Sequence, residues 1–222
     1  MKNVVVVAPH PDDETLGCGA TLLKHVKRGD LTHWVIVTCM TPKVGYSTEA
    51  CLNRRMEIEK VSEQYGFKSV VNLEFPTTRL DQYSISSIIQ RLHETFLNLK
   101  PEILYAPFGG DVHTDHQIVF QAVQSSTKSF RHPYIKRILC YEVLSETEFC
   151  LGESKMNFRP NVFVDITDTL DHKIEILQTY RRELSTFPFP RSIEAVRSLA
   201  HLRGTTAGVQ AAEAFMLLRE IL

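Results

Sequence analysis

The chain has 222 residues, of which 43% are hydrophobic and 23% charged, and its formal net charge is −1. These proportions are ordinary for a soluble protein with one large domain, and they exclude collagen-like and low-complexity chains. The balanced charge also excludes the basic surface of a nucleic-acid-binding protein and a polybasic membrane anchor.

The apolar segments of the chain are short. The longest covers residues 4–9, far below the ~20 residues that span a bilayer, and acidic residues follow it too closely for a secretory signal. The five cysteines form an odd set without a C-x-x-C pair, so we expect free thiols rather than a disulfide framework. These features predict a cytoplasmic protein without a stable membrane anchor.

Strand-like and helix-like segments alternate along the first 145 residues. β-branched and apolar runs predict strands at 4–8, 34–39, 69–73, 103–106 and 138–143. Apolar residues three and four apart predict helices at 12–28, 49–64, 84–99 and about 115–125. This alternation is typical of βαβ units, which form a mostly parallel sheet with helices on both faces.

The remaining residues, 146–222, follow this alternation less regularly. They predict a strand at 162–166, helices at 170–184 and 193–202, and a segment at 214–222 that fits either a strand or a helix. Since no linker-like stretch precedes them, we expect them to pack on the core formed by 1–145. The whole chain, 1–222, is then one α/β domain.

Two polar clusters follow the first and fourth predicted strands. The first reads PHPDDE at residues 9–14, and the second reads GGDVHTDH at residues 109–116. Because ligands bind outside the carboxyl ends of parallel strands, we expect both clusters at one edge of the sheet. Together they supply three histidines and five carboxylates.

Such a collection of carboxylates predicts a metal site. Like charges repel one another unless a cation or proton lies between them. Two imidazoles and one carboxylate, with positions left open for water, suit catalytic Zn²⁺ or non-haem Fe²⁺. A bound cation lowers the pKa of water towards ~7, and a neighbouring carboxylate that is not a ligand can then serve as general base.

A purely structural role is the alternative for these residues. Asp12, Asp13 and Glu14 would then only cap a helix and interact with its dipole. His113 and His116 would be surface residues of a loop. The presence of both clusters after strands of one sheet favours the metal site.

Four segments resemble the PIG-L/LmbE family of metal-dependent N-deacetylases. VVVVAPHPDDETLGCGATL at 4–22 resembles that family's first βα unit, and HTDH at 113–116 matches its HxDH motif. The segments RRMEIEKVSEQYGF at 54–67 and RGTTAGVQAAEAF at 203–215 resemble its Arg-x-x-Glu helix and its C-terminal signature. The resemblance implies a Rossmann-like three-layer sandwich that removes acetyl groups from amino sugars.

The resemblance also implies roles for individual residues. Asp12 would be the general base, and His113, oriented by Asp115, would polarise the substrate carbonyl and stabilise the oxyanion. The implied ligands of the metal, usually Zn²⁺ with Fe²⁺ as an alternative, are His10, Asp13 and His116.

Three further residues are candidate substrate contacts. Arg54 matches a family position that faces the substrate, although a solvated helix residue is an equal alternative. Glu14 either caps its helix or contacts the substrate. Asp111 stands where some relatives carry a tyrosine, and it would bind the substrate or tune His113.

Other polar residues and glycines are expected outside the chemistry. Gly17 and Gly19 would let the first helix approach the sheet. Arg191 and Arg203 would be solvated charges or contacts to an anionic substrate. Six histidines without ligand spacing are expected on the surface or on helices: His25, His33, His93, His132, His172 and His201.

The sequence therefore predicts a zinc-dependent hydrolase that releases acetate and a free amine from an N-acetylglucosamine-type conjugate, glycoside or sugar nucleotide. A metal-dependent phosphoesterase and a non-catalytic metal- and sugar-binding protein are the alternatives. The expected partner is this small molecule, with no nucleic acid. The resemblance also implies a homo-oligomer, a trimer or hexamer.

Overall fold

A computed structural model describes residues 1–151 and 157–222 of the chain. The strands are β1 (Asn3–Ala8), β2 (Leu31–Cys39), β3 (Ser69–Pro76), β4 (Ile103–Pro107), β5 (Arg137–Tyr141), β6 (Val162–Asp165) and β7 (Ala212–Glu220). The helices are α1 (Asp13–Lys27), α2 (Thr48–Tyr65), α3 (Ile85–Leu99), α4 (Thr114–Ser126), α5 (Leu170–Leu177) and α6 (Ile193–Ala207).

All seven strands join one mixed sheet in the order β3-β2-β1-β4-β5-β7-β6. Strands β1 to β5 run parallel, and β7 pairs antiparallel with both β5 and β6. The predicted α/β architecture with a mostly parallel sheet is confirmed. The C-terminal segment extends this same sheet through β6 and β7.

Strand β1 shows why the sheet is covered on both faces. Val4 and Val6 pack into a core cluster that also contains residues of α1, α2, α5 and α6. Val5 and Val7 point the other way, into a cluster with residues of α3 and α4. All four valines are fully buried, as expected for a central parallel strand whose alternate side chains face two helical layers.

The structure changes three of the predicted elements in the C-terminal half. The segment 214–222 lies mostly in β7 because it pairs with β5, whereas its sequence fits either structure. Helix α5 ends at Leu177 instead of 184, and the following residues form turns. Helix α6 continues to Ala207, five residues beyond the predicted 202, and ends at Gly208, whose φ of 71° suits a helix C-terminus.

Helix α1 is kinked at Cys18, and both neighbouring glycines contact aromatic rings. A Cβ atom on Gly17 would overlap the ring of Tyr141, and one on Gly19 would overlap the hydroxyl of Tyr65. The predicted packing role of these glycines is confirmed. Gly19, however, lets α1 approach α2 rather than the sheet.

A buried ion pair satisfies the backbone groups at this kink. The Glu213 carboxylate accepts hydrogen bonds from the N–H groups of Ala20 (3.0 Å) and Thr21 (2.7 Å). Lys173 donates to Glu213 at 2.7 Å and to the carbonyl oxygen of Leu16 at 2.8 Å. The kink is therefore stabilised by side chains from α5 and β7.

Candidate metal centre

The neighbouring strands β1 and β4 bring the two polar clusters together. The strands pair in parallel, so the loops that follow them leave the sheet at the same edge. His10 follows β1, and His113 and His116 follow β4. The centroid of the His10 ring lies 4.6 Å from the centroid of the His113 ring and 5.4 Å from that of the His116 ring. Residues about a hundred positions apart thus share one site.

Asp13 lies at the centre of the three predicted ligands. Its Oδ2 atom is 3.4 Å from His10 Nδ1 and 3.3 Å from His116 Nε2, and it accepts the backbone N–H of His10 at 2.8 Å. Potential ligand atoms of these three residues all lie within 4.8 Å of one another.

This donor set fits a divalent cation. His116 Nε2 is buried and has no hydrogen-bond partner of good geometry among the described residues, although it faces Asp13. A buried polar atom without a partner is costly, and coordination of a cation would satisfy it. Two histidines and one carboxylate are also ligands that suit Zn²⁺ and Fe²⁺.

Each of the two candidate histidine ligands is held by a second carboxylate. Asp115 Oδ2 lies 3.0 Å from His10 Nε2 and accepts the backbone N–H of Thr78 at 2.8 Å. Asp111 Oδ2 lies 2.8 Å from His116 Nδ1, while its Oδ1 accepts the hydroxyl of Thr147 at 2.6 Å. Such contacts fix the orientation of a ligating ring.

These contacts correct two expectations from the sequence. The carboxylate of Asp115 bonds to the ring of His10, whereas the ring of His113 accepts the backbone N–H of Asp115. Asp111 is fully buried and does not line the pocket, so it holds His116 instead of contacting substrate or tuning His113. The side chains of a loop can turn to either side of a strand end, and the motif alone does not show which neighbour they contact.

A second group of ligand atoms, from His10, His113 and Asp115, also lies within 4.8 Å. It shares His10 with the first group, and its Asp115 carboxylate is already bonded to that ring and to the backbone of Thr78. The first group contains the buried nitrogen without a partner. The group around Asp13 is therefore the better candidate for a cation.

The charges within the site are strongly coupled. Burial by itself would lower the pKa of His10, but hydrogen bonds to Asp115 and Asp13 outweigh it and raise this pKa to about 9. Despite its burial, His116 likewise has a raised pKa because of the carboxylates of Asp13 and Asp111. The pKa of Asp13 is lowered, because both rings outweigh its burial. The carboxylates thus favour positive charge around Asp13, between the rings of His10 and His116.

His113 has the opposite behaviour. Burial, and then the neighbouring His10 and His116, lower its pKa to about 4, so the ring is neutral at pH 7. Its Nδ1 accepts the backbone N–H of Asp115 at 3.1 Å, which places the single ring proton on Nε2. His113 lines the pocket and is therefore a neutral N–H donor.

Asp12 is positioned by an unusual backbone conformation. Its φ is 129°, outside the regions that residues with side chains favour, and such strain costs of order 1–3 kcal/mol. Its N–H donates to the Glu14 carboxylate at 3.0 Å, and its carbonyl oxygen accepts the N–H of Leu16 at 2.8 Å. The carboxylate lines the pocket, where burial and then Asp13 raise its pKa well above the usual range.

Glu14 lies behind the pocket, not in it. Its side chain is fully buried and accepts hydrogen bonds from the hydroxyls of Thr15 (2.6 Å) and Tyr180 (2.9 Å) as well as from Asp12. Burial raises its pKa to about 7. Of the two roles expected for Glu14, the structure supports the local one at the start of the helix. The expected contact with the substrate is wrong, because the side chain does not reach the pocket.

Arg54 lines the pocket, as expected for a substrate contact, but protein groups already bind its guanidinium. It donates to the carbonyl oxygen of Pro11 at 3.0 Å, lies 3.3 Å from Glu57 and pairs with Glu183. The alternative of a solvated helix residue is wrong, because the residue is only 6% exposed.

The pocket encloses about 160 Å³ and includes Glu146 and Glu183, which sequence reasoning missed. Glu146 follows β5, and the rule that ligands bind at the carboxyl ends of strands could have indicated it. Glu183 lies in the turns after α5, where no periodic pattern identifies it. Arg191, one of the two arginines considered as contacts to an anionic substrate, lies in the same turns and lines the pocket. Met40, Tyr46 and Thr77 complete the wall from loops after β2 and β3.

The other singled-out residues lie outside this pocket. Arg203 forms a two-bond ion pair with Glu142, at 2.8 and 2.6 Å. His25 lies on helix α1, as expected, and is buried between Asp30 (2.8 Å) and the hydroxyl of Tyr105 (3.0 Å). His33, on β2, and His132 are buried and lie outside the helices, which corrects the position expected for these two. The six histidines without ligand spacing are absent from the described lining.

Comparison with known proteins connects this site to deacetylation. Residues 5–127, more than half of the chain, match the family model PIG-L, described as GlcNAc-PI de-N-acetylase. An uncharacterized deacetylase of Escherichia coli, YaiS, is 28% identical over 75% of this chain and 83% of its own length. Diacetylchitobiose deacetylase of Thermococcus kodakarensis is 25% identical over 96% of this chain and 82% of its own length.

The fold is shared with solved structures as well. The conserved protein TT1542 of Thermus thermophilus superimposes with a TM-score of 0.78 and 26% identity. The similarity covers 100% of this chain and 97% of TT1542. In the described part of the chain, no helix combines the length and apolar character needed to cross a bilayer.

Proposed function

The chain belongs to the PIG-L family of de-N-acetylases, and from this premise we propose that it is a zinc-dependent hydrolase of N-acetylated amino sugars. Its substrate is an N-acetylglucosamine-type conjugate, and its products are acetate and the free amine. The observation that carries the proposal is the convergence of His10, Asp13 and His116 beside Asp12, a buried carboxylate outside this ligand set.

His10, Asp13 and His116 would hold the cation. When bound there, a divalent cation would polarise the amide carbonyl and favour deprotonation of water. Zn²⁺ suits this donor set because three protein ligands leave a position open, and Fe²⁺ is the alternative. Asp111 and Asp115 would keep the two rings in their coordinating orientation.

Asp12 would move the proton during hydrolysis. Its carboxylate takes a proton from the attacking water while the new C–O bond forms. The same carboxyl group then gives the proton to the nitrogen as the C–N bond breaks, which releases the amine and acetate. The raised pKa suits the first step, because it makes this carboxylate a stronger base toward water.

His113 would stabilise the negative charge on the carbonyl oxygen. Its neutral ring carries a proton on Nε2, because Nδ1 accepts the backbone N–H of Asp115. A hydrogen-bond donor aimed at such an oxyanion contributes about 10²–10³ in rate.

An acetate-release assay tests this function. Purified protein loaded with Zn²⁺ is incubated with a panel of N-acetylated glucosides and sugar nucleotides, and its metal content is measured in the same samples. Acetate release that depends on the cation supports the proposal. Phosphate release from N-acetylglucosamine 1-phosphate would favour a phosphoesterase, and sugar binding without any release would favour a binding protein.

Two further properties belong to this proposal. A cytoplasmic location is supported by the five cysteines, all free thiols within the described ranges. A trimer or hexamer, implied by the family resemblance, is a prediction that analytical ultracentrifugation would test.

A further inference from the structure

We infer that the acetylated sugar carries neutral, not anionic, groups beside its acetamido group, as in an oligosaccharide or another uncharged glycoside. This inference rests on the proposed deacetylation and concerns the selectivity of the same pocket. Phosphate and carboxylate groups are normally bound by arginines with free donors. The arginines of this pocket are already bound to the protein's own acceptors.

Each of the three guanidinium nitrogens of Arg54 lies beside an acceptor of the protein. Nη1 donates to the carbonyl oxygen of Pro11 at 3.0 Å, Nε lies 3.3 Å from Glu57 Oε2, and Nη2 pairs with Glu183. The ring of Tyr180 lies 5.5 Å from the guanidinium carbon, on one of its faces. A substrate anion would therefore share this guanidinium with acceptors that already neutralise part of its charge.

Arg191 is bound to the same carboxylate. Its Nε donates to the backbone oxygen of Glu183 at 3.1 Å, and its Nη2 lies 3.4 Å from the Oε2 atom of that residue. Its Nη1 lies 4.0 Å from Asp12 Oδ2. Glu183 thus lies between the two guanidiniums and neutralises charge that an anionic ligand would require.

The other wall of the pocket adds negative charge. Glu146 lines the pocket together with Asp12, Asp13 and Glu183, so that four carboxylates face two guanidiniums in the described lining. With a divalent cation bound, and with His10 and His116 neutral as its ligands, the charges of this lining would balance, Asp13 included. The pocket would therefore offer no excess positive charge to an additional anion on the sugar, which would also lie near these carboxylates.

A pair of isosteric substrates tests this inference. The carbamoylmethyl and carboxymethyl glycosides of N-acetylglucosamine have nearly the same shape and differ by one negative charge. Acetate release is measured for both with the zinc-loaded protein. We expect kcat/KM to favour the neutral glycoside by about tenfold or more, because unpaired like charges disfavour the anionic one. Equal rates, or a preference for the carboxymethyl glycoside, would overturn the inference.

Two variants connect this preference to the pocket. Glu146→Gln removes one carboxylate from the wall and is expected to reduce the preference several-fold by improving kcat/KM for the anionic glycoside. Glu94→Gln makes the same change on the exposed surface of α3 and should leave the preference unchanged. An equal reduction of the preference by both variants would show that net charge, not the pocket wall, sets the selectivity.

The proposed function and this inference fail in different ways. If neither glycoside releases acetate, the proposed function is wrong. Calorimetric affinities of the two glycosides for the same protein then still rank them. Tighter binding of the carboxymethyl glycoside would contradict the inference, and tighter binding of the carbamoylmethyl glycoside would support it.

Discussion

Asp115 holds His10 from the side opposite Asp13. The Asp115 carboxylate lies 3.0 Å from His10 Nε2, which leaves Nδ1 of the same ring facing Asp13 at 3.4 Å. Thr78 and Leu80 donate backbone N–H groups to Asp115 and fix its position. One carboxylate thereby selects which nitrogen of the ring is available to a cation.

The Asp115→Asn variant tests this arrangement. Loss of the charge on the group that orients a ligating histidine is expected to weaken Zn²⁺ binding by about 10–100-fold. The measurement is competition for Zn²⁺ with a chelating dye. Asp81→Asn, an exposed change in a neighbouring turn, is the control. An affinity equal to that of the unmodified chain would mean that Asp115 does not orient His10.

His116→Ala is expected to remove the cation. This substitution deletes a ligand whose Nε2 is buried beside Asp13 and otherwise lacks a partner in the described structure. Elemental analysis after dialysis should find far less than one zinc ion per chain. Full metal content would exclude His116 as a ligand.

Asp12→Ala is expected to separate metal binding from turnover. Asp12 lies outside the converging ligand group, so zinc content should stay close to one ion per chain. Loss of the general base should lower kcat by about 10²–10⁴. If the variant instead loses its zinc, Asp12 is a ligand and another group must accept the proton.

His113→Ala is expected to reduce kcat by about 10²–10³ with little change in zinc content, because it removes one donor to the oxyanion. The pKa of His113 is about 4, so its neutral form predominates above about pH 5, and its protonation should not limit activity near neutral pH. A kcat equal to that of the unmodified chain would remove His113 from the mechanism. A histidine titration near pH 6.5, assigned to His113 by NMR, would contradict its neutral state at lower pH.

Glu213→Gln is expected to lower the stability of the fold without acting on the catalytic groups. The substitution leaves buried Lys173 without its charge partner and weakens two hydrogen bonds to the kinked helix α1. Breaking a buried pair in this way costs about 3–5 kcal/mol in the free energy of unfolding, measured by urea denaturation. Glu220→Gln on the same strand removes a half-exposed ion pair with Arg137. This control should change the free energy of unfolding by less than about 1 kcal/mol. Equal effects would show that the buried pair does not support the kink.

The main features of the fold and the ligand cluster could be predicted from local sequence patterns. The run of valines in β1 indicates a strand buried on both faces, because successive side chains face opposite sides of the sheet and all four are apolar. The polar residues after β1 and β4 indicate one site, because parallel strands deliver their carboxyl ends to the same edge. These rules need only the order of residues along the chain.

Only the tertiary structure decided which side chains meet across that edge. The same two motifs are compatible with an Asp115 carboxylate bonded to His10 or to His113. In the folded chain it accepts the N–H of Thr78 and lies 3.0 Å from His10 Nε2. Likewise, Glu183 and Arg191 reach the pocket because α5 ends early and the following turns fold over it. Their positions depend on contacts between distant parts of the chain, and no periodicity or spacing within one segment contains that information.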